Sequence, residues 1–158
     1  MQKLVPPNRS ELVKLFGKIE FGKWGDEKFH MGFLYLPRDV SRNIINSATK
    51  LLTPHIYCNR AMHDALLRAF KNIQNEKILH QLETFDGCFN IRDVRGSPGK
   101  LSTHAYGLAI DLNADGNGLG EEPHLTDLFV NCFTRVGFVW GGNFERKDGM
   151  HFQWCIED

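Results

Sequence analysis

THAYGLAIDLNADGNGLGEE, spanning Thr103 to Glu122, admits two incompatible structures. Read from Asp111, the residues Asp111, Asn113, Asp115, Gly116 and Glu122 satisfy the pattern of a twelve-residue calcium loop, which needs one helix entering and another leaving. Read as alternation, GLAIDL is a short strand, with Leu108 and Ile110 toward a core and Ala109 and Asp111 on the opposite face. AYGLAID has the composition of a strand rather than a helix, and Pro123 stands where the exiting helix would only begin. The strand reading is favoured. A weaker calcium site made from Asn113, Asp115, Asn117 and Glu121 or Glu122 stays open beside the plainer alternative, a turn-rich loop at the rim of a cleft.

Around this stretch the period of the sequence changes. Upstream, Asn59 to about Ile73 repeats Met62, Leu66, Leu67, Phe70 and Ile73 at three- and four-residue spacing, which predicts a helix capped by Asn59. Ser10 is the expected cap of a shorter helix that Gly17 stops. From Gly87 onward, CFNIR, GLAIDL, GFVWGG and MHFQWC are short β-branched or aromatic runs that predict strands. A helix is expected between the second and third, roughly Thr126 to Val136, with Leu128, Phe129, Cys132 and Phe133 inward. Phe21 to Leu52 gives weak signals and reads as loop with one helix. The fold class is therefore α+β, helices on a small, largely antiparallel sheet.

The chain has 158 residues, enough for one self-sufficient core, and no linker or repeat divides it, so a single domain over 1–158 is expected. Nineteen basic residues balance nineteen acidic ones, which removes the electrostatic case for nucleic acid. No run approaches the apolar length of a membrane span, and MQKLVPPNRSELVKLFG lacks the apolar block of a secretory signal. Cys58, Cys88, Cys132 and Cys155 form no C-x-x-C pair and read as reduced, buried thiols.

Polar residues suited to metal chemistry concentrate between Cys88 and Cys155. His104, Asp111 and His151 would supply two imidazoles and one carboxylate, the ligand set that leaves zinc a fourth position for water. Seven residues separate His104 from Asp111, and an odd separation puts them on opposite faces of a regular strand. Both reach one ion only if the chain breaks between them, and Gly107 is the expected break. Asp148, three residues before His151, is the candidate general base, ahead of Glu145 in its charged neighbourhood. Arg92 and Arg95 are the candidate cations for charge developing on a carbonyl oxygen; Arg92 is preferred because strand alternation through CFNIR would carry it into the site. By spacing alone the set is a modest signal among seven histidines. His30, His55, His63, His80 and His124 have no paired ligand at a diagnostic spacing.

Two blocks, GCFNIRDVRGSPGKLSTHAYGLAIDLN from Gly87 and FVWGGNFERKDGMHFQW from Phe138, resemble the zinc peptidases of bacterial cell-wall metabolism. That family includes D-alanyl-D-alanine carboxypeptidases of the VanY type and L-alanyl-D-glutamate endopeptidases, among them phage endolysins. Its hallmark S-x-H-x-x-G-x-A-x-D is matched by Ser102, His104, Gly107, Ala109 and Asp111. The Trp-Gly-Gly turn is matched by Trp140, Gly141 and Gly142, and the acidic residue and final histidine by Asp148 and His151. The resemblance implies a hedgehog/DD-peptidase-like fold, zinc on His104, Asp111 and His151, Asp148 as base and Arg92 steadying the carbonyl oxygen. Ser102, Arg95 and Trp140 become candidates for substrate contact. The implied substrate is the peptidoglycan stem peptide, with the L-alanyl-D-glutamate bond ahead of D-alanyl-D-alanine because Asp148 and HFQW lean to the endopeptidase branch. A monomer made without a signal peptide and released to the wall by another protein is the expected setting. A non-catalytic wall-binding module is the competing class.

Overall fold

The computed structural model describes residues 3–157. Met1, Gln2 and Asp158, the extremities of the expected 1–158 domain, lie outside the described residues. The α+β class is observed, built on a five-stranded sheet in the order Phe138–Trp140, His151–Trp154, Ala109–Leu112, Thr84–Gly87, Ile45–Asn46. Every pairing in it is antiparallel except the outermost, Ile45–Asn46 on Thr84–Gly87. Leu4–Val5 pairs with Ile156–Glu157, so the first and last described strands meet.

Two helices pack against the strands, Arg60–Asn75 on Met31–Tyr35 and His55–Asn59, and Asp127–Thr134 on Phe138–Trp140. Arg60–Asn75 starts where Asn59 accepts from the Ala61 N–H, and it buries Met62, Leu66, Phe70 and Ile73 along one stripe, as the spacing predicts. Asp127–Thr134 starts at Thr126, whose hydroxyl accepts from the Phe129 N–H. Its inward stripe is Phe129, Cys132 and Phe133; Leu128, expected inward, lies one position off that stripe and is exposed. Phe133 joins the layers, with ring centroids 4.5 Å from Phe152 on the sheet and 6.0 Å from Phe70 on the longer helix. Each such fully buried ring stabilises by roughly 1.5–3 kcal/mol. The four cysteines are buried free thiols.

Several boundaries differ from expectation. The first helix, Arg9–Phe16, is capped by Asn8 rather than Ser10, because Asn8 and Glu11 form a reciprocal capping box. Strand pairing falls on Thr84–Gly87 rather than CFNIR. Beyond Gly87 the backbone bonds elsewhere: the Asn90 N–H donates to the His104 carbonyl, and the Ser102 N–H to that of Arg92. The loop thus supports the turn that carries His104 instead of lengthening the ladder. Phe21 to Leu52 holds more than a loop and one helix. It contains a hairpin arm Lys23–Trp24, the strand Met31–Tyr35, two single-turn helices, Glu27–His30 and Arg38–Ser41, and the edge strand Ile45–Asn46.

Candidate metal centre

Register brings two members of the cluster together. Asp111 and His151 are directly opposed on adjacent antiparallel strands, so their side chains leave the same face of the sheet. His104 arrives from a different backbone conformation, a 3₁₀ turn over Thr103–Tyr106 that Gly107 ends in the left-handed region, at φ 64° and ψ 28°. The chain therefore breaks at Gly107 as the odd spacing requires, by a turn in place of a bulged strand. A side chain there would be both strained and crowded. A Cβ on Gly107 would lie 2.7 Å from the Met31 sulfur and 3.0 Å from the Asn59 backbone nitrogen.

The donor set fits a cation. His104 Nδ1 lies 2.7 Å from the Cys88 carbonyl, and His151 Nε2 lies 2.8 Å from Gln153 Oε1. Both oxygens only accept, so each ring carries its proton on that side and turns a lone pair toward Asp111. His104 Nε2 and His151 Nδ1 are 3.1 Å apart, and each is 3.2 Å from Asp111 Oδ1. Three acceptors this close repel unless a proton or a cation lies among them. Bonds of about 2.0–2.1 Å around a tetrahedral ion set neighbouring ligand atoms about 3.3 Å apart, near the observed triangle. His104, Asp111 and His151 are only 3%, 9% and 6% exposed, so water screens the group poorly. Burial alone would raise the Asp111 pKa, but an imidazole that takes up a proton inside the triangle donates it to Asp111 and adds its charge, which outweighs burial and holds the carboxyl well below the usual range. For His151, burial disfavours the charge, yet Asp111 in particular lifts its pKa above the ordinary histidine value.

Asp148 sits beside this cluster on the turn before His151. Its N–H donates to the Gly141 carbonyl and its own carbonyl accepts from the His151 N–H. The carboxyl oxygen Oδ1 is buried without a hydrogen-bond partner among the described residues. Burial raises its pKa, the Asp111 charge adds to that, and His151, His104 and Arg95 oppose it. The Trp140-Gly141-Gly142 turn is what permits the approach: a Cβ on Gly141 would run into the Asp148 carbonyl oxygen, and one on Gly142 into the Trp140 ring.

Other singled-out residues fall in different places. Ser102 is buried and its hydroxyl accepts from the His104 N–H, so it caps the turn that carries His104. The Trp140 indole donates to the Gly149 carbonyl at 2.7 Å and holds the same turn. Arg92 is on no strand, and its guanidinium donates to the neighbouring Asp93 carbonyl, which removes the alternation that favoured it. Arg95 is the arginine whose charge reaches Asp148. Glu145 is exposed.

The calcium set is not assembled. Asn113 Oδ1 accepts from the Glu83 and Thr84 N–H groups, and Asn117 Oδ1 from His124 N–H, so both amides are spent on building the loop. Glu122 pairs with Lys147, and Asp115 is exposed. Two supports were missed from sequence. Gln153 could have been found by its i, i+2 relation to His151, which puts both on one strand face. The Cys88 carbonyl carries no side-chain signal at all.

A search of curated proteins and one of solved structures each returned no match to the chain. A family model described as D-alanyl-D-alanine carboxypeptidase matches residues 95–154, which include Arg95, His104, Asp111, Asp148 and His151 but exclude Arg92. That match falls on the stretch that folds into the buried His-Asp-His cluster, so over residues 95–154 the chain is similar to the D-alanyl-D-alanine carboxypeptidase family.

Proposed function

We propose that the protein is a zinc-dependent peptidoglycan peptidase that cuts an amide bond of the stem peptide. The observation that carries this reading is the triangle of lone pairs formed by His104 Nε2, His151 Nδ1 and Asp111 Oδ1, beside an unpartnered carboxylate. Zinc bound by such a set supplies Lewis acidity, polarising a carbonyl and making a water easier to deprotonate. Asp148 takes the water's proton on Oδ1 and delivers it to the leaving amine, and its raised pKa suits both halves of that task. Cys88 and Gln153 hold the imidazoles in the ligating tautomer. Arg95, whose charge is felt at Asp148, is the better-supported partner for substrate oxygens, with Arg92 the alternative.

The bond between L-alanine and D-glutamate is the leading candidate, on the Asp148 and HFQW resemblance. D-alanyl-D-alanine cleavage is the second reading, favoured by the description of the matching family model. Digestion of purified walls, followed by mass spectrometry of the fragments, separates them: new amino groups on glutamate support the first, and released D-alanine the second. Activity indifferent to a chelator would overturn both.

A further inference from the structure

The antiparallel hairpin of Met31–Tyr35 and His55–Asn59 departs from the usual pattern of a sheet with one face in water. Its inner face is ordinary: Leu34, Ile56 and Cys58 are buried. The outward positions of such a sheet are normally polar. Here the register pairs Phe33 with Tyr57 and Tyr35 with His55, four rings on one surface. Ring centroids are 5.1 Å apart for Phe33 and Tyr57, 4.6 Å for Phe33 and His55, and 5.3 Å for Tyr35 and His55. Phe33 and Tyr35 remain 55% and 71% exposed. The row continues, since Tyr57 meets Phe89 edge-on at 5.7 Å, and Phe89 follows Cys88, whose carbonyl holds the His104 ring. Phe33 and Tyr35 are the exposed end of this row, His55, Tyr57 and Phe89 continue it half-buried, and a contiguous apolar patch of this kind is a candidate binding face.

We infer that this row binds the glycan strand of the wall polymer, the rings stacking on the C–H faces of successive amino sugars. The inference rests on peptidoglycan being the substrate. A sugar ring has apolar faces and hydroxyl or amide edges, so it suits a surface where ring faces alternate with polar tips. Tyr35 and Tyr57 bring hydroxyls, His55 brings ring nitrogens, and Tyr57 donates to Glu27 at 2.9 Å, leaving a carboxylate beside the row. A linear polymer matches a linear array, and the row ends one residue from the support of a metal ligand. Stem peptides branch from the glycan, so a strand held here would present them to the cluster. The competing occupants fit less well. Strands of five residues span about 17 Å, and two of them offer far less than the ~800 Å² per partner of a stable interface between copies. A lipid surface calls for a basic rim, whereas Arg60, whose charge reaches Tyr57, is offset there by Glu27, which accepts from the Tyr57 hydroxyl.

The test compares wild type with the double variant Phe33→Ala/Tyr35→Ala, whose exposed positions leave the fold intact, as an unchanged Tm would verify. Three probes are used: a soluble N-acetylglucosamine oligomer titrated by NMR, intact purified sacculi, and a stem peptide without glycan. Wild type should bind the oligomer with shifts at Tyr35, His55 and Tyr57. The variant should lose about tenfold in oligomer and sacculus affinity, the scale of removing aromatic anchors from a binding face. It should cut the glycan-free peptide with unchanged kcat/KM. Equal oligomer binding by both proteins overturns the inference. So does equal loss on both substrates, or loss of anionic vesicle binding or of self-association with oligomer binding intact. The oligomer titration decides the row whether or not the peptide is cut, so its failure and that of the peptidase reading are distinguishable.

Discussion

At the scale of single residues, Asp148 separates chemistry from metal binding. Its Oδ1 is buried and has no partner among the described residues, so Asp148→Ala removes no hydrogen bond made by them and relieves a desolvated carboxyl. The expected variant keeps the wild-type Tm and one zinc per chain while turnover falls by about 10²–10⁴-fold, the worth of a positioned general base. Metal analysis with a wall-lysis assay checks it, and undiminished turnover removes Asp148 from the mechanism. Arg95 bears on the same group through charge. Because Arg95 lowers the Asp148 pKa, Arg95→Ala should raise it, and the base must be ionised to act. The acidic limb of the kcat/KM profile then moves to higher pH; a limb that stays put or moves down excludes the coupling. Gln153→Ala should leave His151 free to rotate and change tautomer, lowering zinc affinity about 10–100-fold in a competitive chelator titration.

Among the elements, the Thr103–Tyr106 turn and its terminating Gly107 show how the site is made from local conformation. A side chain at Gly107 meets two separate penalties, the positive φ and the crowding by Met31 and Asn59. Gly99 also has a positive φ, 82°, but open space around it. Gly107→Ala should therefore destabilise by more than Gly99→Ala, whose cost is limited to about 1–2 kcal/mol of left-handed strain. Urea unfolding of the two variants measures the difference, and equal values would mean that crowding contributes nothing. The same turn explains what sequence could and could not disclose. The odd His104 to Asp111 spacing demanded a break and Gly107 was legible as its place, because only glycine among those residues accepts the conformation freely. The Arg60–Asn75 helix was legible because its stripe and its Asn59 cap are both local. CFNIR has strand composition, yet its partners are taken by Thr84–Gly87 and its bonds go to the His104 turn, a tertiary outcome with no local trace. Met31–Tyr35 hid for the opposite reason: with Phe33 and Tyr35 outward, the polar half of the alternation is missing. Asn113 and Asn117 matched calcium spacing, but amide oxygens that satisfy backbone N–H groups are not free to ligate.

Over the whole molecule, the cluster ties together parts of the chain that only folding brings near. Asp111 is 7 residues from His104 and 40 from His151, so an ion held by all three bridges the Thr103–Tyr106 turn and two sheet strands. In the unfolded chain that geometry is absent, and binding energy becomes folding stability. At zinc a hundredfold above its dissociation constant, the stabilisation is about 2.7 kcal/mol. In a domain of this size each kcal/mol moves Tm by about 2–4 °C, so chelation should lower Tm by roughly 5–11 °C, reversibly on adding zinc. Acid should mimic the chelator. The His151 pKa is raised, so protons compete for its ring at higher pH than for an ordinary histidine, and zinc affinity falls as pH drops through that raised value. Two variants locate the effect. His104→Ala should abolish the Tm response to zinc, whereas Asp148→Ala should retain it in full, since Asp148 lies beside the triangle and forms no part of it. A chelator-insensitive Tm in wild type, or a response that survives His104→Ala, would show that the three lone pairs do not hold the metal, and catalysis would then have to be sought away from this cluster.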